Sequence, residues 1–300
     1  MKNKHLWSGS AGLETKKRLL NPRQTEKIGF IALVLVAILT VAPIIALLVY
    51  IVVQGASTVT WTFLTQMPRD GMRAGGIFPA IIGTFYLTLG TALFSVPPGI
   101  AAAIYLAEYA PDNRWTRAIR ITMINLAGIP SVVYGLFGLG LFVVFLKFGT
   151  SILAASLTLS IMTLPVIIST TEEALRSVPT SFHPVSISLG ASHWQTIRYI
   201  KIPQSLPGIL TGVILGLERA AGETAPILFT GAAFFLPQLP NSPFDATMAL
   251  PYHLFVISTQ VPGMPVQIQY GTVLVLLAFV LGMNLIASVI RSRARARRQW

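Results

Sequence analysis

Residues 172–209 read EEALRSVPTSFHPVSISLGASHWQTIRYIKIPQSLPGI. The stretch is polar enough for water, yet apolar residues recur at helical spacing, Leu175 with Val178 and then Val185 with Leu189. Gly190 marks a helix end, since glycine takes the left-handed conformation that closes a helix. Ser192-His193-Trp194-Gln195 carries the start signal of a second helix, and Pro203 is expected to stop it. The segment therefore reads as two short amphipathic helices joined by a glycine turn. An amphipathic knob that leads two apolar runs into water calls for a groove on a partner protein.

Outward from this loop the chain is oily. Of 300 residues, 53% are hydrophobic and only 11% charged, where a soluble domain carries about 25% charged residues. Uncharged runs cover 28–53, 77–107, 121–146 and 151–169, and a sixth run covers 269–290. The fifth, 207–236, is apolar but carries charges. Most reach the roughly 20 residues needed to cross a bilayer as a helix. The first run is too long for a signal-peptide core and lacks a clean cleavage site, so it reads as an uncleaved span. The expectation is an all-α, polytopic membrane protein with six transmembrane helices.

The net charge of +12 does not point to nucleic acid, because the charges cluster at the chain ends and in short loops between apolar runs. Eighteen of the 22 Lys and Arg lie in the tail 1–27, around Arg114, Arg117 and Arg120, in 171–207 and in the tail 291–300. The alternate loops hold Arg69, Arg73 and Lys147, and Arg219 lies inside the fifth run. This asymmetry places both termini and the loop 171–207 in the cytoplasm, with 54–76 and 237–268 on the outside. The expected organisation is a basic tail 1–27, a six-span domain 28–290 and a basic tail 291–300 that stops transfer and sits beside membrane lipid.

The fifth run contains LERAAGETAPILF, with Glu218, Arg219 and Glu223 near its middle. Each charge there costs at least ~2.5–3.5 kcal/mol on insertion scales. Arg219 and Glu223, four apart, share a helix face; Glu218 points about 100° away. Pro226 frees the carbonyl of Gly222. Gly212 and Gly216 form a small-x-x-x-small pattern that admits a close helix neighbour. A guanidinium is a permanently charged fork of donors suited to phosphate-like oxyanions. Glu223 could hold it or accept a proton from a hydrogen-bearing anion. A buried Arg–Glu pair that merely ties two helices together is the competing reading.

The loop resembles the ABC-importer permease signature, Glu-Ala-Ala, three residues, Gly, nine residues, Ile-x-Leu-Pro. Gly190 is followed after nine residues by Ile200-Lys201-Ile202-Pro203, and Pro184-Val185-Ser186 occupies the Glu-Ala-Ala positions. The run EEALRSVP, with Glu173 and Ala174, and the run LGASHWQTI, with Leu189, Gly190 and Ala191, are also similar to these permeases. The resemblance implies the type I, MetI-like permease fold and a bacterial inner-membrane location, with Ile200, Ile202 and Pro203 completing a loop seated in the ATPase subunit. RAAGETAP and FDATMALPYHLFVISTQVPG look like phosphate-importer permeases of the PstA type. That resemblance assigns Arg219 and Glu223 to phosphate passage, with Gly222 and Thr224 as motif neighbours. It implies a second homologous permease subunit, two ATP-binding subunits and a periplasmic phosphate-binding protein.

No G-x-x-x-x-G-K-[ST] run occurs, so ATP is expected on a partner and the chain needs no cofactor of its own. There is no cysteine, no HExxH and no GxSxG, and His183 and His193 lack the partners of a metal site. Neither catalytic nor metal residues are expected. An importer for another oxyanion, molybdate or sulfate, and a stand-alone secondary transporter stay open as alternatives.

Overall fold

The computed structural model describes residues 22–296, with side chains from 26 to 293; the tail expected at 1–27 and the end of the tail 291–300 fall largely outside them. The chain divides into two compact units, Met1–Tyr50 and Ile51–Trp300. In the first, the described residues belong to one helix, α1 (Pro22–Gly55), which carries Pro43 without breaking. It covers the first expected span.

The second unit continues with a short helix α2 (Trp61–Thr65), capped by the Thr60 hydroxyl, which accepts from Phe63 N. A small hairpin pairs β1 (Pro68–Arg69) with β2 (Ala74–Gly75). Next comes α3 (Phe78–Ile104), which runs on through one π-helical turn, Tyr105–Tyr109. Pro97 and Pro98 lie inside α3.

The third expected span is not one straight helix. Residues 114–145 form α4 (Arg114–Ala127) and α5 (Ser131–Gly138), the latter extended by a π-helical stretch Leu139–Phe145, and the two parts are bent by 101°. Gly128-Ile129-Pro130 causes the break, because proline offers no N–H to continue the ladder and restricts the residue before it. Asn113 starts α4 by accepting from the backbone N–H of Trp115 and Thr116.

The fourth span, α6 (Ile152–Arg176), outlasts its apolar run. Its last two turns stay helical because Glu172, buried there, is paired with Arg176 and Arg120. The loop beyond it contains α7 (Phe182–Ser188), and α8 (His193–Thr196) follows the glycine turn, as the local pattern predicts. Pro203 does not stop that second helix. A π-helical turn, Ile197–Lys201, joins α8 to α9 (Ile202–Gly222), so residues 193–222 form one long helical path. In the π turn Ile202 N bonds to Ile197 O, and proline at the start of the next segment needs no donor. The fifth span also ends earlier than its apolar run, at Gly222, followed by α10 (Ala225–Thr230). An irregular stretch leads to α11 (Leu250–Thr259), and α12 (Val266–Ala296) closes the described chain. Among the described residues five helices are long and apolar enough to cross a membrane, and the count reaches the expected six if the bent pair α4–α5 is taken as one broken span.

Helix α6 is the centre of the second unit, with α3, α4, α5, α9 and α10 packed around it. Glycines decide how closely α9 approaches. A methyl group added at Gly212 would collide with Thr170 Oγ1, and one at Gly216 would press within 3.1 Å of Ile167. The expected small-residue contact is therefore made, and Gly208 extends it against Ala174. On α3 the buried hydroxyls of Thr84, Thr88, Thr91 and Ser95 each donate to a carbonyl four residues back, which removes the cost of polar groups in an apolar interior.

Candidate substrate path and coupling loop

Arg219 and Glu223 lie not in the middle of a continuous helix but at the broken end of α9. Gly222 is its last residue, and Glu223 has extended backbone (φ −76°, ψ 137°). Pro226, in the first turn of α10, cannot donate to the turn before it, which fixes the break. Arg219 occupies the last turn of α9, where unsatisfied carbonyls favour a cation. Its Nε lies 3.4 Å from Glu223 Oε1, and the two side chains keep 34% and 17% of their exposure. The pair is long and partly open, so the guanidinium retains unused donors.

Glu223 also borders a hollow of about 10 Å³ shared with Thr84 and Thr88 of α3, Ala220, and Pro251 of α11, which is room for about one water molecule. The Thr84 hydroxyl accepts from Leu250 N at 2.8 Å and so ties α3 to α11. Glu218 points elsewhere, as helix geometry requires; its Oε1 is buried and meets no hydrogen-bond partner among the described residues. Gly222 is exposed with open space around it, and Thr224 precedes α10, its carbonyl accepting from Leu228 N. The structure thus gathers Arg219, Glu223, Gly222 and Thr224 around one helix break.

Beyond the spans, in α11, His253 is only 2% exposed, and neither ring nitrogen has a partner among the described residues. Burial pushes its pKa down to about 4, so it is neutral at pH 7. Because the unfolded chain takes up this proton first, its contribution to stability is lost as pH falls from about 6.5 toward 4.

The loop around Gly190 is built as a rigid knob. Gly190 has φ +85°, the left-handed value that ends α7. A capping box opens α8: Ser192 Oγ accepts from Gln195 N, and Gln195 Oε1 accepts from Ser192 N. The hydroxyls of Ser186 and Thr196 meet at 2.7 Å and join α7 to α8 from within. His183 Nε2 and His193 Nδ1 lie 3.0 Å apart and add a second tie. The apolar residues divide by role. Leu175 and Val178 are buried, whereas Val185, Ile187 and Leu189 on α7 and just after it are 58%, 48% and 83% exposed. Three neighbouring aliphatic side chains left in water form a surface suited to a partner.

The other loop candidates are spread more widely. Glu173 and Ala174 belong to the last turns of α6, before the chain leaves it at Ser177, and Ala174 packs under Gly208. Ile200 lies in the π turn, and Ile202 and Pro203 start α9, with α8 between them and the turn at Gly190 and Ala191 along the chain.

Two ionic clusters escaped the sequence reading. Glu172 Oε1 accepts from Arg120 Nε at 2.8 Å and Arg176 Nε at 3.0 Å, beside a cavity of about 370 Å³. Lys201 Nζ meets Glu108 Oε2 at 2.6 Å with side-chain exposures of only 15% and 5%. The i,i+4 spacing of Glu172 and Arg176 was a visible signal; the other partners are 52 and 93 residues apart and left none.

Comparison with known proteins places the chain in a family. Residues 99–298 match the family described as binding-protein-dependent transport system inner membrane component. The chain is 34% identical over 253 residues to the probable ABC transporter permease protein YqgI of Bacillus subtilis, covering 80% of this chain and 86% of that one. It is 33% identical over 267 residues to the phosphate transport system permease protein PstA 1 of Mycobacterium tuberculosis, covering 87% and 86%. In fold it is similar to a bacterial ABC transporter involved in import of the acidic polysaccharide alginate, with a TM-score of 0.61, 16% identity and coverage of 90% of this chain and 99% of that one. The family match and these relatives support a subunit of an ABC importer in place of a stand-alone secondary transporter. The chain belongs to the family of binding-protein-dependent transport system inner membrane components, and it is a multi-pass permease subunit of an ABC importer.

Proposed function

We propose that the chain forms half of the membrane path of an ATP-driven importer of inorganic phosphate in a bacterial inner membrane. The observation that carries this is the half-open Arg219–Glu223 pair at the end of α9. A guanidinium held at 3.4 Å by one carboxylate can turn its free donors to a passing anion and then return. Such a cation attracts phosphate without trapping it, because Glu223 competes for the same donors. Glu223 also suits an anion that still carries a proton, as phosphate does near neutral pH. Relatives at 33% identity that are named phosphate transport permeases support the choice of anion.

Transport in this reading needs a second homologous permease subunit, two ATP-binding subunits and a periplasmic phosphate-binding protein docked on the outer face, which 54–76 and 237–268 help to form. ATP is bound and hydrolysed on the partner subunits. The exposed Val185, Ile187 and Leu189 seat the knob in an ATPase cleft. Closure of the two ATPases pulls the knob, and the helical path 193–222 carries that movement to Arg219.

Uptake of radiolabelled phosphate by a phosphate-import deletion strain, complemented with this gene and its partners, tests the proposal. Restored uptake, competed by unlabelled phosphate and not by sulfate or molybdate, is the expected result. Competition by sulfate or molybdate instead would reassign the substrate while leaving the importer reading in place.

A further inference from the structure

The Glu108–Lys201 pair is the most deeply buried of the ion pairs among the described residues and the shortest, at 2.6 Å. It joins two π-helical turns 93 residues apart, Tyr105–Tyr109 at the end of α3 and Ile197–Lys201 at the start of α9. Burying two charges costs several kcal/mol each before their attraction repays it, and an apolar pair of the same volume often serves stability as well. A π turn widens the helix and spoils its regular ladder, and such turns concentrate at working sites. Stability alone gives little reason for both features to coincide here.

The surroundings give a mechanical reason. The ring of Tyr109, next to Glu108, meets His193 edge-on at 5.0 Å, and His193 is tied in turn to His183 of α7. Any displacement of the knob therefore reaches Lys201 through the backbone of α8 and reaches Glu108 through Tyr109. At their other ends α9 and α3 meet again around Glu223, with Thr84 and Thr88 opposite Ala220. The two helices are fastened beside the knob and share the polar hollow beside the proposed anion path.

We infer that Glu108 and Lys201 are positioning residues for coupling: the ion pair makes α3 follow α9 when the ATPases move the knob. Without it the knob drags α9 alone, the hollow around Glu223 deforms, and ATP is spent without a matched movement of the path. The proposal rests on the importer reading, and the label-distance readout of its test is independent of which anion is carried.

The test uses the complete complex in lipid vesicles. The chain has no cysteine, so Leu89→Cys on α3 and Leu215→Cys on α9 can carry nitroxide labels when the partner subunits are also cysteine-free. Both positions are exposed in this chain. In an otherwise unchanged chain the distance distribution between the labels should stay narrow and unmoved through the ATP cycle. In E108Q/K201M, which removes both charges together, it should broaden or shift once ATP is added, and phosphate moved per ATP should fall about tenfold. The swapped pair, E108K/K201E, should restore the narrow distribution. A distribution in E108Q/K201M as narrow as in the unchanged chain would overturn the proposal, and so would a swapped pair no better than the neutral one. Failure of the neutral variant to assemble with the ATPase would overturn it too, because the pair would then serve folding and not movement. An unchanged complex that moves no phosphate, but keeps the expected label behaviour, would remove only the substrate assignment.

Discussion

The helical path 193–222 carries an ion pair near each end, and the two pairs are built oppositely. Lys201 and Glu108 meet at 2.6 Å with almost no exposure, across two different helices. Arg219 and Glu223 sit 3.4 Å apart on the same strand of chain, across a helix end, with a third of the arginine open. Distance and dielectric explain what each arrangement is good for. A short buried pair has no competing solvent and gives up its geometry only at high cost. A longer, partly open pair is worth about 1 kcal/mol or less, so an anion of comparable attraction can displace the carboxylate. The proposed roles follow this contrast: one end of the helical path is suited to holding register, the other to exchanging partners.

The contrast is broken most severely at its loose end. Arg219→Gln removes the charge and keeps much of the shape, and uptake should fall roughly a hundredfold, the worth of a lost charge-assisted contact to the anion. Co-purification with the ATPase should be unchanged; normal uptake in that variant would take Arg219 out of the path.

Gly190→Val attacks the knob proposed to drive both pairs. A side chain there meets open space, so the whole effect is the strain of a β-branched residue at φ +85°, about 1–3 kcal/mol. The turn should re-form differently, and phosphate moved per ATP should drop about tenfold while ATP hydrolysis continues. Stoichiometry measured in vesicles decides this, and an unchanged ratio would show that the turn is not the docking element.

Glu223→Gln sharpens the comparison. With its competitor weakened, Arg219 should hold the anion longer, giving a KM and a maximal rate each lowered a few-fold, the pattern of a ground state bound too well. A raised KM would instead mean that Glu223 orients Arg219 and does not compete with the substrate. The smallest change should come from Gly222→Ala. A methyl group meets nothing within 4 Å there and favours the helix by up to about 1 kcal/mol, so assembly should persist with uptake within about twofold of the unchanged chain. A large loss of uptake with intact assembly would mean that the anion passes against this backbone.

Some of this was readable along the chain because its cause is local. The capping box at Ser192, the glycine turn at Gly190 and the tight approach at Gly212 and Gly216 follow from the residues themselves and their immediate neighbours. The end of α9 was harder. Gly222 and Pro226 signalled a weakness, but the apolar run continues to Leu236 and hides that the helix stops. The bend between α4 and α5 was hidden in the same way, by a run whose hydropathy stays high across Gly128-Ile129-Pro130. The survival of the helix past Pro203 was masked for the opposite reason: proline reads as a stop unless a π turn precedes it.

Linear sequence alone was enough to locate the apolar segments that the long helices occupy and the uneven spread of basic residues between them, because transfer from water to lipid acts on each segment by its own composition. It was also enough to mark Arg219 and Glu223, since spacing by four on a helix is a one-dimensional fact. Folding in three dimensions decided that Glu108 faces Lys201, that Arg120 joins Glu172, and that Thr84 and Thr88 complete the hollow around Glu223. Those contacts arise where α3, α4 and α9 are brought together around α6, and charges so far apart along the chain meet only after that packing is complete.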